Sequence, residues 1–345
     1  MDKNSKSVTN LFIALTLLAL ITLVVSVNQK EGSNMLLAPG LLGEINQTNS
    51  LTIKTTGEKL VADIQKVGDK WVVVNAKNYP ANLAAVRNFL LALSEAKILE
   101  ETTSKAENYE KLGVSDITSK NVSSTLVEII NQNRMLNLLL GNLSSGNSTF
   151  VRRQNDKQSW RVSGSLNPGK ETKDWLNRSI IDINPSEIKG LDIEHRDGEI
   201  VRIDKSDNKF ILRGKSKDQV LKTPGILESL VGALTKLEFD EFNLASNFTS
   251  KQKNPLAKIS IQMVNGIVLD IDAIDQDDSI WFIFNAKQSI EIIGINDGAL
   301  NKKELETYLI TEEINERLKN WAYKVPSYKS DWLIKRNADL INATT

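Results

Sequence analysis

The chain has 345 residues, 41% hydrophobic and 25% charged, a globular composition with length for two domains of ordinary size. Lysine plus arginine equals aspartate plus glutamate at 43 each, so the basic surplus that broad nucleic-acid binding draws on is missing. With no cysteine and one histidine, His195, disulfides, thiolate metal sites, a cysteine nucleophile and any site of two imidazoles from this chain are excluded.

The first element is an uncharged run, Leu11 to Val27, of seventeen residues. At about 1.5 Å per residue it covers roughly 26 Å of a hydrocarbon core about 30 Å thick, and Val8 and Thr9 extend it. Val24-Val25-Ser26 is a poor cleavage site, so the run reads as an uncleaved transmembrane anchor. Lys3, Lys6 and the terminal amine precede it and only Lys30 follows closely, which keeps the N-terminus cytoplasmic and exports the rest. The polar tether Asn28 to Asn34 then reaches at most about 25 Å, holding the body close to the membrane.

Sliding the chain along itself by about 140 residues superimposes two copies of one pattern. Leu51-Thr52-Ile53 opens a strand that turns at Gly57, and Leu191-Asp192-Ile193 opens another that turns at Asp197-Gly198. The next strands, Leu60 to Val67 and Ile200 to Lys205, meet tight turns at Gly68-Asp69 and Asp207-Asn208, residues that tolerate positive φ. Lys70 to Val74 and Lys209 to Leu212 follow, each a lysine, an aromatic and an apolar run.

Both copies then predict a helix with one apolar stripe: Leu83, Val86, Leu90 and Leu93, and Leu227, Leu230, Leu234 and Leu237. Pro80 and Pro224 stand near the starts, with Thr223 as a cap for the second. Ser104 to Glu107 has capping-box spacing for a short helix that Gly113 closes. Strands resume at Thr125 to Ile130, Met135 to Leu140 and Phe150 to Arg153, and in the second copy at Ile259 to Val264, Ile267 to Ile274 and Ile280 to Phe284. Asp174 to Arg178 forms a linker helix, followed by Asn184-Pro185. A last helix, near Lys302 to Trp321, repeats Leu305, Leu309, Ile310, Ile314 and Leu318 before a polar tail.

The expected fold is therefore α+β: a transmembrane helix, then two related modules, each an antiparallel sheet with a helix on one face. The spans are 1–10 cytoplasmic, 11–27 anchor, 28–50 tether, 51–183 first module, 184–300 second module and 301–345 C-terminal helix and aromatic tail.

In order and spacing, Leu37-Ala38-Pro39-Gly40-Leu41, Ile45-Asn46, Trp71-Val72-Val73, Tyr79-Pro80-Ala81, Tyr109 to Val114, Leu140-Gly141, Phe150-Val151-Arg152, Trp175 with Arg178, and Asp182-Ile183 resemble the domain-of-unknown-function 4340 family of membrane-anchored bacterial proteins. The likeness covers nearly the whole chain. It is weaker in the second copy, where Phe210 replaces the tryptophan and Thr223-Pro224 the tyrosine-proline pair. It implies an extracytoplasmic protein often encoded beside ABC-type transporter components, some gliding-motility-like, and carries over no catalytic residue.

Four constellations invite chemistry. Ser94 and Lys97 have serine-lysine hydrolase spacing, with Ser206-Asp207-Asn208 and Lys222-Thr223 behind them, but Pro224 spoils the third element. His195-Arg196-Asp197 mimics a kinase triplet, with Gly198 marking a turn instead. The acidic stretch Asp270, Asp272, Asp275, Asp277 and Asp278 lacks the glycine and closing glutamate of a calcium loop and alternates like a strand with one wet face. Trp321, Tyr323, Tyr328 and Trp332, interleaved with lysines, either dock on the body or meet a membrane partner, and they are the candidate partner surface. No cofactor or metal is expected. The functional expectation is a non-catalytic accessory protein in the inner membrane, body outside, held against an ABC transporter permease or companion subunit. The rivals are an anchored glycan or peptide binder using Trp160 and Trp175, and a hydrolase using Ser94 and Lys97.

Overall fold

A computed structural model describes residues 35–118, 123–132, 134–289 and 302–342. The expected anchor over 11–27 lies outside these residues; among those described, no helix is long and apolar enough to cross a membrane. The chain divides into two compact units after Asn177.

Unit 1 begins with a helical turn, α1 (Leu41–Glu44), and the strand β1 (Thr48–Thr55). Leu51 and Ile53 alternate with wetter neighbours and are fully buried, the period-two signature of a half-covered strand. On one side of β1 lie β2 (Lys59–Val67), β3 (Lys70–Val73) and β4 (Tyr79–Pro80). On the other lie β6 (Thr125–Asn131), β7 (Met135–Ser144), β8 (Ser148–Arg153), β9 (Ser159–Ser163) and β5 (Ile98–Glu101). All paired neighbours in this nine-stranded sheet are antiparallel. Helix α2 (Leu83–Glu95) starts at Asn82, whose side chain accepts from the Ala85 amide at 3.1 Å. Val86, Leu90 and Leu93 are buried as the stripe predicts, but Leu83 is exposed: the buried arc passes through Phe89 instead, and the first turn overhangs a groove beside Trp71.

A short helix, α3 (Tyr109–Leu112), ends where expected, with Gly113 left-handed at φ 69°. The capping box does not form: Asn108 precedes α3 and no side chain caps it. The helix lies over Gly141, where the β7–β8 register shifts, and a Cβ on Gly141 would stand 2.3 Å from the Leu112 carbonyl oxygen. Gly141→Ala is therefore expected to destabilise unit 1 by about 1–3 kcal/mol, measurable by urea unfolding.

Unit 2 repeats the plan. The run β3-β2-β1-β6-β7-β8 of unit 1 recurs as β13 (Lys209–Leu212), β12 (Ile200–Ser206), β11 (Ile188–His195), β16 (Ala257–Met263), β17 (Ile267–Gln276) and β18 (Ser279–Gln288). Asp207 and Asn208 both have positive φ in their two-residue turn, as do Asp277 and Asp278. The eight-stranded sheet is completed by β19 (Trp321–Lys324) and β15 (Glu241–Leu244), while β10 (Ser179–Ile181) and β14 (Leu237–Glu238) pair separately.

Two helical expectations need correction. Helix α4 (Ile226–Gly232) is shorter than its leucine stripe, and Gly225, at φ 77°, precedes it in place of a Thr223 cap. Tight turns follow from Ala233 to Thr235, and Lys236 takes a positive φ, so Leu237 is already in β14. All four leucines of the stripe are buried nonetheless, since a turn and a strand can bury the same spacing. After a short helix α5 (Thr249–Gln252), the long helix α6 (Lys302–Leu318) buries only the C-terminal part of its predicted stripe. Thr307, Thr311 and Leu318 are buried, while Leu305, Leu309 and Ile310 are exposed, as is Tyr308. The reason is the open edge of β18. Its ladder with β19 covers Phe282 and Ile283, and farther along the Asn315 side chain takes both backbone groups of Ala286, accepting at 2.7 Å and donating at 2.8 Å. Thr307 donates to the Asn265 carbonyl at 3.1 Å. A sheet edge needs hydrogen-bonding partners, so polar side chains are drawn inward and Leu305 and Leu309 are left outside.

Candidate functional site

Unit 2 carries a polar cavity of about 630 Å³ over β11, β16, β17 and β18. It follows from strand alternation. Leu191, Ile193, Ile259, Ile261, Leu269 and Ile271 are buried, so their neighbours share the other face. The register aligns those neighbours in two rows: Asp192, Ser260, Asp270 and Asn285, and beside it Glu194, Lys258 and Asp272. Lys287 and Lys319 complete a lining of four carboxylates and three lysines, with Gln252 of α5 at the rim.

The rows are internally bonded. Ser260 donates to Asp270 at 2.9 Å, and Lys287 pairs with the same carboxylate. Arg202 approaches both oxygens of Asp192 at 3.2 Å, and the Gln252 amide donates to Asp272 at 3.2 Å. Burial holds the Asp272 carboxyl above its ordinary range; the Gln252 amide and Lys258 pull it back, and like-charged Asp270 adds to the rise. Such a group binds its proton more tightly folded than unfolded, so stability falls as pH rises through the folded-state value. Asp272→Asn is expected to flatten the fall of unfolding temperature as pH rises above the ordinary carboxylate range and to raise that temperature once the parent carboxyl is ionised. A thermal melt series of both proteins checks this.

The acidic stretch thus lies as the alternation predicts, Asp270 and Asp272 on the wet face of β17 and Asp277-Asp278 in its turn. Asp275 pairs with Arg196 at 2.6 Å, which holds its carboxyl below the ordinary range. Among the described residues, no group of three or more histidine or acidic side chains is placed to hold a metal ion. Chemically, the face can hydrogen-bond and pair charges. Its partial signal in the sequence was the alternation in β17; that β11 and β16 bring Asp192, Glu194, Lys258 and Ser260 alongside depends on register.

The other candidates are dispersed. Ser94 is buried in α2 and its hydroxyl donates to the Leu91 carbonyl at 2.8 Å, whereas Lys97 lies exposed beyond the helix end. Ser94 therefore lies on the buried side of α2, and the pair shares no described site. His195 is buried at the end of β11 with Nε2 3.1 Å from the Lys335 carbonyl. Asp197 and Glu199 hold Arg336, fastening the final residues to unit 2. The Arg336 hydrogen bond keeps Asp197 low; burial pushes Glu199 up, but bonds from Asn337 and Arg336 outweigh it and the net direction is down.

The four aromatics do not form one surface. Trp321 and Tyr323 are buried in β19, where Tyr323 stacks on Phe239 at 5.5 Å and Trp321 meets Phe242 edge-on at 5.4 Å. Their strand completes the core, so they offer no face to a partner. Tyr328 is exposed on α7 (Ser327–Leu333), and Trp332 is half-buried beneath Lys335. Lys329 of α7 donates to the carbonyls of Gly232, the last residue of α4, and of Thr235 beyond it, and burial lowers its pKa. Trp160 and Trp175 are likewise buried, in unit 1.

A family described as "Domain of unknown function (DUF4340)" matches residues 71–258, more than half of the chain and parts of both units. The chain belongs to this family. No curated protein and no solved structure matches it. The DUF4340 match is narrower than the likeness read from the sequence: the residues around Leu37 to Leu41 and β1 precede it. Within it, the residues that carried the likeness hold unit 1 together. Val72 pairs with Pro80, the Ala81 amide donates to the Trp71 carbonyl at 2.9 Å, and the Asn82 amide donates to the Trp175 carbonyl at 2.7 Å. Trp175 in turn packs edge-on against Phe89 at 5.6 Å. Arg152 of β8 is buried over the Tyr109 ring at 4.5 Å, its Nε donating to the Val114 carbonyl at 2.9 Å.

Proposed function

We propose that this DUF4340 protein is a single-pass accessory protein of the inner membrane, N-terminus inside and body outside, that docks on a membrane complex of the ABC transporter type and performs no chemistry itself. The uncharged run Leu11 to Val27, the lysines before it and the short tether support the anchor and its orientation. The transporter association rests on the family resemblance. The observation that carries the docking role is α6: Leu305, Tyr308 and Leu309, spaced three and four apart, are exposed on the side away from Thr307 and Thr311, which are buried. Exposed apolar residues gathered in this way mark interaction surfaces.

The test is a photoreactive benzoylphenylalanine at Leu309 in native membranes, with crosslinked products identified by mass spectrometry. A permease or its companion subunit is the expected product. The second reading, a binder of an envelope glycan or peptide, is favoured by the charged rows of unit 2. It prevails if Leu309 yields no protein crosslink while the purified body retains a glycan or peptide that Asp192→Ala with Lys258→Ala releases.

A further inference from the structure

We propose that the groove of unit 1 beside Trp71 seats an acidic segment of a protein partner, its apolar side chains against Trp71 and Leu83 and its carboxylates on Lys66 and Arg87; this rests on the docking role proposed above. The groove, about 770 Å³, runs between α2, the β2–β3 hairpin and the turn Ile45–Gln47 that leads into β1. Trp71 is half-buried, and Leu83, the first residue of α2, is 58% exposed. Lys66 stands directly opposite Trp71 in the β2–β3 ladder, and Arg87 lies about one turn along α2 from Leu83; both are exposed. No carboxylate lines the groove, and among the described residues none is paired with either cation.

The second copy of the plan shows that this opening is not inherent in it. Lys205 and Phe210 face each other across β12 and β13 as Lys66 and Trp71 do across β2 and β3, one pair in from the turn. Lys205 lies over the Phe210 ring at 5.5 Å and donates to the Pro185 and Ser186 carbonyls, both at 3.1 Å, in the turn that leads into β11. Leu227, which opens the matching leucine stripe, is 1% exposed. In unit 2 the lysine is bonded to its own turn and the leucine is enclosed, whereas in unit 1 both are left to solvent.

Two exposed cations without an anion beside them favour carboxylates from outside, and the apolar groups between them gain by burial. Their placement selects the kind of molecule. Leu83, Arg87 and Leu91 of α2 line the groove at four-residue spacing, about 12 Å from first to last, so a cation lies between two leucines. An extended peptide covers that length in about four residues and can present acidic and apolar side chains in turn. A lipid has one anionic head followed by uninterrupted hydrocarbon, which would lay its tail across the Arg87 guanidinium. The pattern therefore favours a peptide segment over a lipid.

The experiment places photoreactive benzoylphenylalanine at Leu83 of the full chain, irradiates native membranes and sequences the crosslinked products by mass spectrometry, with the Leu309 chain run beside it. The expected product joins position 83 to a protein segment in which aspartate or glutamate neighbours aliphatic or aromatic residues. Its yield should fall several-fold in a chain that also carries Lys66→Glu with Arg87→Glu, and persist with Lys66→Arg and Arg87→Lys. Both charge variants should unfold as the parent does, because both side chains are exposed. A product on a basic or uncharged segment, on lipid or on glycan would overturn the proposal, as would a yield indifferent to charge reversal. No product at 83 while 309 still captures a permease or companion subunit would overturn the groove and leave the docking role standing. No protein product at either position would overturn the docking role, and the groove proposal with it.

Discussion

An Arg152→Leu chain is expected to lose about 3 kcal/mol of stability in unit 1, the largest single-residue loss among the buried polar side chains. Arg152 is 3% exposed, and its guanidinium serves three acceptors: Val114 O at 2.9 Å, Asp156 O at 2.9 Å and the Asp116 carboxylate at 2.7 Å. Leucine replaces the stem but strands the buried Val114 carbonyl, about 1–3 kcal/mol, and gives up the stacking on Tyr109, about 1–2 kcal/mol. Asp116 is more than half exposed, so Asp116→Asn is expected to cost under about 1 kcal/mol. Arg152→Lys keeps the charge without the planar fork that reaches three acceptors, so it should recover only part of the loss. Urea unfolding of the three variants checks the order. If Asp116→Asn cost as much as Arg152→Leu, the ion pair rather than the two carbonyls would be the stabilising contact.

The same cluster shows what the sequence could and could not convey. Alternation in Leu51 to Ile53 and in Leu269 to Ala273 located strands, because a strand with one buried face has only one pattern available. Turn pairs such as Asp207-Asn208 located hairpins, because few residues tolerate positive φ at both positions. The repeated leucine spacing located apolar stripes but not the element that buries them, so Leu237 is in a strand and Leu83 in solvent. Helix α6 follows its predicted stripe only at Ile314 and Leu318, while Leu305, Leu309 and Ile310 face outward, because its orientation depends on the edge of β18, a property of the assembled sheet and not of residues 302–318. Trp321 and Tyr323 were read as a surface for a similar reason: composition shows that aromatics cluster, and only pairing with β15 and β18 shows that they are enclosed. The charged rows of unit 2 depend on register, which brings together residues seventy or more positions apart, such as Asp192 and Asp270.

Substituting Leu18→Arg together with Ile21→Arg is expected to move the protein from the carbonate-resistant membrane fraction to the soluble one. Both positions lie near the middle of the run Leu11 to Val27, where each arginine costs roughly 2.5–3.5 kcal/mol on insertion scales, about 5–7 kcal/mol for the pair. A seventeen-residue run has little surplus hydrophobicity to absorb that, since it is already at the short end for a span. The expected readout has two parts: loss of membrane retention, and an unfolding transition of the body unchanged from the parent, since neither residue belongs to the described units. Intact mass adds the distinction from a cleaved leader, because an anchor retains residues 1–27 in the membrane-bound parent. A doubly substituted chain that stays carbonate-resistant would mean that the body, and not this run, holds the protein to the membrane, and the orientation inferred from Lys3 and Lys6 would lose its basis.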